Sequence, residues 1–253
     1  MLLDRRNLLK AAVALTSVVS LKSAASAGAR TAKFGAVAFD AFTVFDPRSV
    51  NATAEALFPG RGMELMNVWR TRQFEYAWLR VVTGSYRNFS NVTDDALTFA
   101  ARSLKLELSP DQRRTLVGSY SNLKPWPDAV EALQSLRAAG LRLALLSNFT
   151  PAMLDGCIQA SKIPGLFDMA LSTDAIQTYK PDPRAYRLAV DQFKLDRENI
   201  LFAAFGAWDA AGAKAFGFTT FWNNRLGVPY DELTFQPDVV GASLTDLRTY
   251  LEA

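Results

Sequence analysis

Five short apolar runs, each followed by a polar residue or a turn, constrain this chain more than any other feature. They cover residues 34–39, 141–146, 169–171, 200–204 and 219–222. Runs of this length and composition suit strands buried on both faces. The stretches between them have helical signatures. Val130, Leu133 and Leu136 recur at helical spacing before Gly140, which is placed to end that helix. Thr150-Pro151 has the form of an N-cap followed by proline at the first helical position, and residues 183–193 open another helix at Pro183. Strands alternating with helices predict an α/β fold built on a doubly wound parallel sheet. In such sheets ligands bind beyond the carboxyl ends of the strands. Asp40, Ser147 and the segment after Ala204 stand at those ends.

Residues 47–122, between the first two runs, have no strand pattern. Helices are predicted over 62–82, 93–104 and 109–117, the first with Leu65, Val68, Trp69, Phe74, Trp78 and Leu79 on an aromatic-rich face. The organisation expected is a helical cap over 47–122, inserted into a core formed by 28–46 and 123–253. A chain of 253 residues is long enough for both.

Composition narrows the chemistry. With 49% apolar residues and 14 glycines, the chain is neither disordered nor collagen-like. Its single Cys157 excludes a disulfide scaffold, and without an imidazole partner it reads as a buried small residue. There is no His, which removes His-based triads, imidazole general bases and imidazole zinc ligands. Carboxylates, Lys, Arg, Tyr and hydroxyls remain. An aspartate with a pKa near ~4 is ionised at neutral pH, so Asp40 can attack carbon or phosphorus with no base to activate it.

The net charge of +3 and pI near 9.0 suggest nucleic acid or an acidic membrane as partner. The excess lies wholly in residues 1–27, where Arg5, Arg6, Lys10 and Lys22 face only Asp4. The remainder is formally neutral, and no nucleic-acid partner is expected. Residues 1–27 have the three parts of an export signal: a charged start, an apolar run over 11–21, and small residues ending Ala25-Ser26-Ala27. The apolar run is about half the ~20 residues a membrane span needs, so no stable anchor is expected after processing. Arg5-Arg6 followed by Asn7-Leu8-Leu9-Lys10 resembles the twin-arginine type, which implies a periplasmic or secreted protein.

Four strand-end motifs follow in order: Phe39-Asp40-Ala41-Phe42-Thr43-Val44-Phe45-Asp46, Leu146-Ser147-Asn148, Tyr179-Lys180-Pro181-Asp182, and the stretch from Ala207-Trp208-Asp209 to Gly217-Phe218. Together they resemble the haloacid dehalogenase superfamily. Pro59-Gly60-Arg61-Gly62 and the stretch from Trp69-Arg70 to Arg80 are similar to its type II, L-2-haloacid dehalogenase branch. The resemblance spans nearly everything after Lys33 and implies a Rossmann-like core with a helical cap. It implies hydrolysis of a small 2-haloacid through an aspartyl ester, without cofactor or metal. A phosphatase of the superfamily would carry a second Asp where Phe42 stands, and a Gly-Asp pair where Gly206-Ala207 stands.

By this resemblance Asp40 displaces halide, Arg70 receives it, and Ser147 with Asn148 holds the substrate carboxylate. Lys180 steadies Asp40, Asp209 helps to position the hydrolytic water, and Thr43 is the hydroxyl donor of the first motif. Tyr186 packs with Arg70 near the halogen, while Phe42, Phe74, Phe89 and Trp208 form an apolar wall. A homodimer is compatible with the sequence. Three departures stand out: the first motif is one residue short and lacks its usual Gly, Ala204 and Gly206 replace usual Ser and Asn, and Thr71 replaces a usual Gln. Two alternatives remain open: a superfamily hydrolase acting on a phosphate ester or another small electrophile, and a catalytically weak binding protein on this fold.

Overall fold

All five apolar runs form strands in the computed structural model, which describes residues 33–253. The export-type segment over 1–27 lies outside the described residues. The strands are β1 (Ala36–Phe39), β2 (Arg142–Ser147), β3 (Met169–Ser172), β4 (Ile200–Ala204) and β5 (Thr219–Asn223), joined by a sixth, β6 (Val239–Gly241). Every pairing is parallel, in the order β3-β2-β1-β4-β5-β6. The sixth strand had no signature, because a three-residue edge with Val240 57% exposed needs no apolar run.

The helices are α1 (Ala41–Val44), α2 (Arg48–Leu57), α3 (Gly62–Val82), α4 (Phe89–Ser103), α5 (Pro110–Ser119), α6 (Ala129–Ala138), α7 (Pro151–Ala160), α8 (Pro183–Phe193), α9 (Ala207–Phe216) and α10 (Leu244–Glu252). Six of them, α1 to α6, lie between β1 and β2. Helix α4 begins at Phe89, earlier than its apolar periodicity indicates, because the Asn88 side chain accepts the Asn91 N–H at 3.0 Å and caps it. Ser109 and Gln112 cap α5 reciprocally, and Thr150 caps α7 with Pro151 behind it.

Alternate strand residues feed two cores, as the two-residue period of a strand dictates. Val37, Phe39, Leu143, Leu145, Leu201 and Ala203 pack with α6, α10 and the other helices between β1 and β2. Ala36, Ala38, Ala144, Leu146, Phe202 and Ala204 pack with Tyr186 and Phe193 of α8 and with α9. Cys157 is fully buried, its thiol 3.2 Å from the Tyr120 carbonyl and its pKa pushed up to about 11 by burial. The strand order reverses direction across β1, between β2 on one side and β4 on the other. The residue that leaves β1 at this switch point is Asp40.

Candidate active site

Asp40 ends β1 and is the N-cap of α1; its Oδ2 accepts the Phe42 N–H at 3.0 Å. Its own N–H donates to Ala203 O of β4 at 2.9 Å, which pins the residue to the strand end. Lys180 reaches Asp40 from across the crevice: its Nζ lies 2.8 Å from Asp40 Oδ1 and 2.7 Å from Asp209 Oδ2. Only 1% of Lys180 is exposed. Burial works against its ammonium, but the Asp209 and Asp40 carboxylates outweigh it and hold the lysine pKa above its ordinary value. Asp209, in the first turn of α9, has its pKa raised to about 6 by burial and by the Asp40 charge, with Lys180 and Tyr186 opposing.

Tyr186 does not pack beside Arg70 at the cavity, as the motifs suggested. It is fully buried in the core under β4, where its hydroxyl donates to Asp209 Oδ1 at 2.8 Å. The close approach of α9 makes this bond: a Cβ on Gly212 would sit 2.5 Å from the Tyr186 hydroxyl. Both Asp209 oxygens are thereby occupied. Asp209 stands behind Lys180 and is not on the cavity surface. Thr43 also departs from expectation. Its hydroxyl donates to the Asp40 backbone carbonyl at 2.6 Å and not to the carboxylate. With the first motif one residue short, Thr43 falls three residues after the N-cap, where a side chain on a single helical turn points back at that carbonyl.

Above Asp40 lies a cavity of about 130 Å³. Arg70, Ser147, Asn148, Phe42, Phe74, Phe89 and Trp208 all line it, as expected from the motifs. Asn148 Oδ1 accepts the Lys180 N–H at 2.9 Å, so its Nδ2 is the end left for a ligand. Ser147 Oγ accepts the Phe149 N–H at 3.1 Å and keeps its own proton to donate. Arg70 is exposed on α3 and has no hydrogen bond or ion pair with any described residue. Trp208 packs on Phe74 and Trp78, with ring centroids 5.3 and 5.5 Å apart. Its indole fills the space beside position 206, where a Cβ would come within 2.6 Å of Trp208 Nε1. The usual Asn at that position is thus replaced by an aromatic wall.

Further lining residues had no motif to reveal them. Tyr120, Phe149, Phe205, Met66 and Asn51 are among them, and burial pushes the Tyr120 hydroxyl up to about 12. Trp78 Nε1 donates to Lys180 O at 3.1 Å, tying α3 to the lysine segment. Nearby, Tyr86 donates to Asp174 at 2.6 Å and Tyr179 to the Arg87 carbonyl at 2.5 Å. These pairs are 88 to 102 residues apart in sequence, beyond the reach of periodicity.

Comparison with known proteins places this geometry. Residues 43–217 match the family model for haloacid dehalogenase-like hydrolases. The chain belongs to that family. It is 42% identical over 217 residues to an (S)-2-haloacid dehalogenase of Pseudomonas sp. (strain YL), covering 85% of this chain and 92% of the relative. It is 40% identical over 207 residues to haloacetate dehalogenase H-2 of Moraxella sp. (strain B), covering 81% and 92%. The crystal structure of the L-2-haloacid dehalogenase from Xanthobacter autotrophicus with chloropropionic acid covalently bound superposes with a TM-score of 0.81 at 32% identity, covering 87% of this chain and 99% of that one. Within this hydrolase family the donor set matters for cation binding. Among the described residues no trio of His, Cys, Asp or Glu is placed to hold a metal ion, and the position between the two carboxylates is taken by the Lys180 ammonium.

Proposed function

We propose that the protein hydrolyses small L-2-haloacids to D-2-hydroxyacids through an ester on Asp40. The observation that carries this reading is the Lys180 ammonium between Asp40 and Asp209, which pairs with a carboxylate nucleophile at the floor of an apolar cavity. The relatives named above support it, since their activity is dehalogenation of 2-haloacids or haloacetate. Ser147 and the Asn148 amide bind the substrate carboxylate, and Arg70 offsets its approach to Asp40.

In the first step an Asp40 oxygen forms a bond to C2 as the carbon–halogen bond breaks. The halide departs with the electron pair toward Arg70, and C2 inverts. Asp40 is then neutral, and Lys180 pairs with Asp209 alone. A water attacks the ester carbonyl carbon beside Lys180, whose ammonium Asp209 holds in place from behind. The carbonyl carbon–oxygen bond breaks and the Asp40 oxygen leaves in the hydroxyacid, which takes up one of the water's protons; the other is released to solvent and restores the Asp40 carboxylate. Ala204 and Gly206 offer no polar side chain to this second step, so the ester accumulates and halide appears as a burst.

Halide release from both enantiomers of 2-chloropropionate, with a single turnover in heavy-oxygen water, tests the reading. The L enantiomer is consumed, the D-hydroxyacid forms, and label enters Asp40 and not the first product. Labelled first product or retained configuration overturns the mechanism.

We also infer export in the folded state. The paired Arg5-Arg6, the apolar run and Ala25-Ser26-Ala27 support it. Replacing both arginines by lysine then retains the precursor inside the cell; undiminished export removes the twin-arginine reading.

A further inference from the structure

Helix α1, the turn that leads out of Asp40, has four residues and is too short to satisfy its own carbonyls. Ala41 O accepts the Phe45 N–H at 2.8 Å, and Val44 O accepts the Trp126 N–H at 2.9 Å. The two carbonyls between them are taken by side chains. Phe42 O accepts Trp126 Nε1–H at 2.9 Å, and Thr43 O accepts Arg225 Nη2–H at 2.9 Å and Nε–H at 3.2 Å. Phe42 is also the residue whose N–H holds Asp40 Oδ2. The grip on its carbonyl therefore bears directly on the orientation of the carboxylate.

The gripping side chains are themselves fixed. Arg225, with a side chain only 5% exposed, forms a fork with Asp128 at 2.8 and 3.1 Å. Asp128 also accepts the Leu244 N–H at the start of α10, at 2.7 Å. Burial opposes the Asp128 charge, but Arg225 and the Leu244 N–H prevail and keep its carboxyl below the usual range. Two guanidinium groups stack on the Trp126 ring, Arg225 at 4.6 Å and Arg48 at 4.5 Å from its centre. None of Trp126, Asp128 or Arg225 lines the cavity.

We propose that Trp126 and Arg225 are positioning residues, which hold the turn at Phe42 and Thr43 so that the Asp40 carboxylate points at the substrate. This rests on Asp40 as the nucleophile. The brace compensates for the short first motif: a turn without the extra glycine is held from outside by residues more than eighty positions away. It acts on ester formation and leaves the Lys180–Asp209 pair untouched.

Two variants of the full chain separate aim from stability. Trp126→Phe removes one N–H donor and keeps a ring on which the guanidinium groups stack. Arg225→Lys keeps the charge facing Asp128 but cannot span Asp128 and Thr43 O as a planar fork. Each is measured for first-turnover halide release from L-2-chloropropionate, for KM, for the acid-side midpoint of the rate profile, and for hydrogen exchange of residues 40–46. Halide release is expected to slow by about ten- to a hundredfold. KM stays within about twofold and the acid-side midpoint does not move, while exchange in 40–46 accelerates. An unchanged first-turnover rate, a rate loss matched by an equal rise in KM, or a displaced midpoint overturns the proposal. Should the native protein release no halide, the dehalogenation reading fails; unchanged exchange in both variants would still overturn the brace.

Discussion

The two sides of the Asp40 carboxylate are built on opposite plans. On the inner side, Lys180, Asp209 and Tyr186 are almost wholly buried, and the polar side-chain atoms of all three are partnered within the protein. On the outer side, Arg70, the Asn148 Nδ2 and the Trp208 indole N–H make no hydrogen bond to a described residue, although all three residues line one aromatic cavity. The inner side is a preorganised ion-pair cluster whose cost was met on folding. The outer side holds donors in reserve for a ligand. Damage to the first should alter ionisation and stability, and damage to the second should alter binding.

The largest expected effect tests the junction of the two. Asp40→Asn removes the charge both sides serve and should cost at least ~4 kcal/mol of transition-state stabilisation, roughly a thousandfold in rate. Halide release within tenfold of the native protein would show that another group attacks. Next comes Lys180→Met, which leaves two buried carboxylates without a cation. Removal of one partner from a buried ion pair costs about 3–5 kcal/mol of stability. Urea unfolding measures this, and a loss below about 1 kcal/mol would show that the inner side does not depend on its charge.

A binding-side change should be smaller and of a different kind. Arg70→Lys retains charge but loses the planar fork, and should lower kcat/KM about tenfold with no change in unfolding midpoint. A large loss of stability would break the contrast. The smallest effect is a displacement in pH. Protonation of Asp209 as pH falls should extinguish activity with a midpoint near 6, its raised value. Tyr186→Phe removes a hydrogen bond that favours the ionised carboxylate. The midpoint should then move to higher pH, whereas Arg70→Lys should leave it in place; a downward displacement in Tyr186→Phe would reverse the assignment.

The expected residues that the structure brings to the cavity share one property: each stands at a strand end or on an amphipathic helix whose direction the local pattern already specifies. Asp40, Ser147, Asn148, Arg70 and the aromatic wall are of this type. Tyr186 and Thr43 were misplaced for local reasons that sequence spacing conceals. Tyr186 lies on the buried face of α8, and Gly212 brings α9 close enough for Asp209 to capture its hydroxyl. Thr43 was displaced by the shortened turn, which directs its hydroxyl to the backbone.

The chain's own pattern determined the alternation of strands and helices, the parallel sheet, the place of the crevice and the carboxylate that stands at it. These follow from apolar periodicity and from what ends each run, both of which act over a few residues. Only the tertiary structure decided that Lys180 bridges two carboxylates 140 and 29 positions away, that Trp78 holds the lysine peptide, and that Arg225 and Trp126 hold the turn after Asp40. The physical reason is that these groups lie on segments with no local interaction. A buried donor or acceptor must find a partner, but which partner it finds depends on how the helices and the sheet are packed together.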